Sequence, residues 1–126
     1  MEKILPGFVN RPLGPTEMTA YRAPFTSKGA RRPLLAWPRE VPIAGQPAAT
    51  TALMTDIASF MSETELPMLL LYASPGVLVP PEAVAWYTQR IRNLESSYVG
   101  QGLHFIQEDQ PDAIGRAISD WLRRHR

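Results

Sequence analysis

Cysteine is absent, which excludes disulfides and thiolate metal sites and suits a reducing, cytoplasmic setting. No apolar run approaches the ~20 residues needed to span a bilayer. The opening Met1-Glu2-Lys3-Ile4-Leu5-Pro6 lacks the apolar core of a secretion signal. Charge of one sign is also lacking. A net charge of +1 gives no reason to expect nucleic acid or an anionic membrane as partner. There is no metal-ligand spacing, phosphate loop or nucleotide fingerprint, so neither metal nor cofactor is expected. No internal repeat and no low-complexity segment occurs.

What is present is a proline-rich chain of soluble globular composition. It has 13 prolines in 126 residues, gathered between residues 6 and 47 and between 67 and 81. That distribution predicts short elements joined by shaped turns. Residues 1 to 14 read as an irregular lead-in or the end of a helix, and the chain is expected to start inside an element, as an internal Met would. Short helices are predicted over 15–25, with Met18, Tyr21 and Phe25 on one face, and over 27–36, with Leu34, Leu35 and Trp37 inward. Trp37 reads as a docked indole and Arg39 as a tie on the Pro38–Pro47 loop. A longer helix is predicted over 47–62, burying Ala49, Leu53, Ile57, Phe60 and Met61.

The unbroken apolar run Pro67 to Ala73 reads as a buried parallel strand. A helix opened by Pro80 and Pro81 follows, with Val84, Tyr87 and Ile91 inward. A second strand is predicted over 95–99. The last helix, 111–124, lines Ile114, Ala117, Ile118, Trp121 and Leu122 along one side. Strand, helix, strand in that order forces a parallel pairing. The class is therefore α/β, with a two-stranded sheet that needs neighbours.

The chemistry concentrates in Gly100-Gln101-Gly102-Leu103-His104-Phe105-Ile106-Gln107-Glu108-Asp109. It holds one of the two histidines, in a Gly-containing loop between the second strand and a helix opened by Pro111. Such a place, beyond the carboxyl end of a strand, is where α/β enzymes put catalytic groups. The pattern alone leaves two readings open: a catalytic imidazole, or a loop histidine with no role. His125 reads as terminal and solvated. Asp109 and Asp112 read as acids at a helix start, Asp56 and Asp120 as acids on solvated helix faces.

Gly102 to Asp109, followed by Pro111-Asp112-Ala113-Ile114-Gly115, resembles the C-terminal signature of the haloalkane dehalogenases, which are α/β-hydrolases. Further segments are similar in the same order. They are Leu5-Pro6-Gly7 with Arg11-Pro12-Leu13; Glu17-Met18, Tyr21-Arg22 and Pro24-Phe25; Arg31-Arg32-Pro33-Leu34; Trp37 to Gly45; and Pro75-Gly76-Val77-Leu78.

The resemblance implies the C-terminal part of an α/β-hydrolase fold: the end of a helical cap over 1–45, then the last two parallel strands with flanking helices over 46–126. It implies His104 as the base that activates water against an aspartyl ester. Phe8 would sit at a tunnel mouth, Pro38 and Val41 at the cap–core boundary, and Val77, Leu78 and Phe105 near the histidine. The bland reading of each is ordinary core. The expected partners are a small apolar halogenated substrate, water and halide. The aspartate nucleophile with its tryptophan, the upstream halide-binding loop and the triad acid match nothing in these residues. The chain is thus expected to be an incomplete C-terminal segment, complemented by an N-terminal segment or by a second copy. Two other functions compete: a coelenterazine-type luciferase on the same scaffold, and a non-catalytic fragment that only associates with a partner.

Overall fold

Proline and glycine keep the first elements short. In the computed structural model, which describes residues 4–125, a single turn of helix, α1 (Ile4–Gly7), buries Leu5. The reading that the chain begins inside an element falls on Met1 to Lys3, outside the described residues. Contacts divide the chain into two compact units. One comprises the described parts of Met1–Pro12 and Ser62–Arg126, the other Leu13–Met61.

The second of these units starts with α2 (Pro15–Arg22). Pro15 occupies its first turn, the Glu17 carboxylate accepts the Gly14 N–H at 2.6 Å, and Met18 is buried. A 3-10 turn over Ala23–Phe25 contains Pro24 and continues the helix. After a further 3-10 turn, Gly29–Arg31, come α3 (Arg32–Ala36) and the turn Trp37–Glu40. The loop that follows is closed by a bridge in which Ile43 and Gln46 exchange backbone hydrogen bonds of 2.8 and 3.0 Å. Then α4 (Ala48–Glu63) begins.

The helices form where the periodicity puts them, but apart from α2, which buries Met18, their apolar faces are largely exposed. Trp37 is 79% exposed, so it is no docked indole, and Leu34 and Leu35 are exposed with it. Leu53, Ile57 and Phe60 of α4 are exposed as well. Arg39 is exposed, and the Ile43–Gln46 bridge closes the loop it was expected to tie. A helical period specifies which side chains share a face, and says nothing about what covers that face.

In the first unit, β1 (Met68–Pro75) lies parallel to the later strand, joined through α5 (Pro81–Arg90). Val84 and Ile91 bury the inner side of this crossover, as their spacing predicts. The second strand, β2 (Leu94–Gly102), is longer than the predicted 95–99. It runs through the glycines that read as loop. Tyr72 pairs with Tyr98, but Ser74 pairs with Gln101, so two steps on β1 face three on β2. Gly100, at φ +117°, takes up the extra residue as a bulge.

A short helix, α6 (Ile106–Asp109), leads into α7 (Pro111–Arg124). Ile114, Ala117 and Trp121 are half-buried, whereas Ile118 and Leu122 are exposed, so the buried stripe is narrower than predicted. His125 is not simply solvated: its ring stacks on Trp121 and its Nε2 lies 3.1 Å from Glu95. Among the described residues the sheet has two strands, and no helix is long and apolar enough to cross a membrane.

Candidate active site

The carboxyl ends of both parallel strands point the same way, so the loops that follow them meet. The Gly76 N–H donates to the Gly102 carbonyl at 3.1 Å and joins the two turns. Between them lies a recess of about 170 Å³, lined by Leu71, Ala73, Val77, Leu78, Leu103, His104 and Ile106 among others. Its walls are mostly apolar, and the imidazole is its one titratable side chain apart from the Tyr72 phenol.

Two aromatic rings pack against the imidazole. The Phe105 ring lies 4.7 Å away and the Phe8 ring 5.4 Å away, both edge-on. The backbone of Phe8 also reaches this loop: its carbonyl accepts the N–H of His104 at 3.1 Å and of Phe105 at 3.2 Å. Nδ1 of His104 is buried and has no hydrogen-bond partner among the described residues. A buried ring nitrogen of that kind calls for a hydrogen-bond partner, which would fix the tautomer.

Four of the six apolar residues that the resemblance implies thus gather around His104: Phe8, Val77, Leu78 and Phe105. Pro38 and Val41 belong to the other unit, where both are exposed. The acids are accounted for otherwise. Asp56 and Asp112 are exposed, and Asp120 pairs with Arg123. Asp109 does not cap a helix start. It ends α6, and its carboxylate accepts backbone N–H groups from Asn10, Arg11 and Leu103. Sequence reasoning missed this role, because nothing local in either segment announces a contact between residues 10 and 109. Among the described residues no group of His, Asp or Glu is placed to hold a metal ion.

Parallel strands joined by a helix, with a histidine just past the later strand, are the closing elements of an α/β-hydrolase core. The comparisons with known proteins narrow the class. No family model matches the sequence. The haloalkane dehalogenase of Sphingobium indicum is 46% identical over 133 aligned residues, which cover 100% of this chain and 42% of that protein. That of Bradyrhizobium diazoefficiens is 40% identical over 122 residues, 97% of this chain and 39% of that one. Among solved structures, a haloalkane dehalogenase from Bradyrhizobium elkani superposes with a TM-score of 0.93 at 41% identity, over 97% of this chain and 42% of its own. Another, from Agrobacterium tumefaciens C58, gives 0.88 at 36% identity, over 98% and 42%. By sequence and by fold the chain is similar to the haloalkane dehalogenases, as a segment that fits their C-terminal portion. It spans about two-fifths of the length of the curated relatives it matches.

Proposed function

We propose that this chain supplies the histidine base and part of the substrate pocket of a hydrolase that cleaves carbon–halogen bonds. The observation that carries the reading is His104: an imidazole at the rim of an apolar recess, with one ring nitrogen buried and lacking a partner among the described residues. An apolar pocket suits a small halogenated hydrocarbon. In this reading a carboxylate oxygen attacks the halogen-bearing carbon, the carbon–halogen bond breaks, and halide leaves with the electron pair. Water then attacks the ester carbonyl and gives a proton to Nε2 of His104. The alcohol departs, the carboxylate is restored, and the proton passes to solvent. The first step needs no base because the carboxylate is already ionised; the second does.

None of Asp56, Asp109, Asp112 and Asp120 suits the role of nucleophile, for the reasons of exposure and pairing given above. We therefore place the nucleophile, and the acid that faces Nδ1, on a complementing segment beyond these residues. Phe8, Val77, Leu78 and Phe105 would line the pocket next to the base. The test is a chimera: residues 1–126 joined behind the upstream portion of the Sphingobium indicum relative. Halide release from a short haloalkane above background supports the reading. A folded chimera that releases none overturns it.

A further inference from the structure

We infer that Asp109, backed by the Arg11–Glu108 pair, is the positioning residue of His104. What the histidine does rests on the dehalogenase reading; how it is held rests on geometry. An ionised carboxylate only accepts hydrogen bonds, and both oxygens of Asp109 are used. Oδ1 takes the Asn10 N–H at 2.7 Å and the Arg11 N–H at 3.1 Å, while Oδ2 takes the Leu103 N–H at 3.0 Å. One side chain thus joins the segment that carries Phe8 to the residue immediately before His104.

The same two segments are laced on either side of that carboxylate. On one side the Phe8 carbonyl receives the His104 and Phe105 N–H groups. On the other, Arg11 gives Nε to the Glu108 carbonyl at 2.5 Å and Nη2 to the Glu108 carboxylate at 2.7 Å. Gly102 leaves room for this arrangement, since a Cβ there would stand 3.3 Å from Asp109 Oδ2 and 3.2 Å from the Ala73 Cβ. Helix capping does not account for the carboxylate. Asn10, Arg11 and Leu103, whose N–H groups it accepts, all lie outside helices. Charge-assisted bonds of this kind are about twice as strong as neutral ones. They hold the backbone of the loop, and therefore the origin of the imidazole.

Asp109→Asn keeps size and removes the second acceptor. Whichever way the amide turns, its NH₂ faces either the Leu103 N–H or the Asn10 and Arg11 N–H groups. The experiment uses the chimera, followed through both chemical steps and by the NMR signals of the His104 ring and the Leu103 amide. We expect the halide burst to keep its rate constant while ester hydrolysis slows roughly 100-fold, the penalty of a base displaced by about 1 Å. The ring signals shift and the Leu103 amide exchanges faster. A structural role alone would lower the melting temperature and cut the burst amplitude without separating the two steps.

Hydrolysis at the parental rate, or ring signals that do not move, overturns the inference. Should D109N fail to fold, Arg11→Lys is read instead: it keeps the charge, loses the guanidinium fork, and should slow hydrolysis several-fold with the burst intact. R11K at the parental rate then overturns the inference. A parent chimera without a burst sinks the dehalogenase reading alone, and the ring and amide signals still decide whether Asp109 holds His104.

Discussion

Phe8 meets His104 twice: its ring lies edge-on to the imidazole at 5.4 Å, and its carbonyl takes the histidine's own N–H at 3.1 Å. The start and the end of the chain are therefore one site. Phe8 is 37% exposed, more than a core phenylalanine would be.

Truncation of Phe8 follows from that double contact. The carbonyl bond survives any substitution of the side chain, while the ring beside the base is lost. In the chimera, Phe8→Ala should alter substrate preference and entry rates more than stability. The loss of stability should fall below the ~3–5 kcal/mol of a buried phenylalanine. Paired measurement of thermal unfolding and of kcat/KM for two haloalkanes of different length checks this. A large fall in melting temperature with unchanged selectivity would make Phe8 an ordinary core residue.

His104→Ala separates the two chemical steps. Halide displacement uses the carboxylate alone, so the first turnover should proceed and then stop at the ester. Mass spectrometry of the chimera after reaction should find one alkyl group per protein. Repeated turnover at the parental rate would remove His104 from the mechanism.

Gly100 tests the bulge. At φ +117° an alanine is strained, and its Cβ would stand 2.9 Å from the Gln110 side chain. That side chain in turn donates to the Gln101 carbonyl at 2.8 Å. Gly100→Ala should destabilise the chimera by about 1–3 kcal/mol, read as a lower midpoint in urea. An unchanged midpoint would mean that the bulge can relax without consequence.

The local elements were legible because each rests on a local rule: the leucine run of β1, Pro81 and Pro111 opening helices, Val84 and Ile91 at helical spacing. The place of His104 just past β2 was legible because a histidine soon after a glycine-containing strand end is a local pattern. Burial was not. The exposure of Trp37, Leu53 and Phe60 depends on which surfaces lie opposite, which no window of sequence contains. Asp109 failed for the same reason: its partners Asn10 and Arg11 lie at the far end of the chain. The continuation of β2 through Gly100 to Gly102 was hidden by the bulge, which looks like a turn until its partner strand is in place.

The 126 residues expressed alone are expected to associate and to melt without cooperativity. The sheet among the described residues has only β1 and β2, so each strand has an outer edge free to pair with another chain. The buried apolar set is small and made mostly of medium or small side chains: Leu5, Val9, Met18, Ala73, Val84, Ile91 and Val99. Against these stand Trp37, Leu35, Phe60, Leu66 and Leu78, each more than half exposed. Burial of that extent opposes the conformational entropy of the chain poorly. Exposed apolar faces next to open strand edges favour contact between copies. Circular dichroism should show helix that fades over a broad range of temperature. Sedimentation should show association that grows with concentration, and halide release should stay at background. A sharp unfolding transition from a monomer would mean that the exposed faces tolerate water, and halide release by that monomer would mean that its own carboxylates carry the first step.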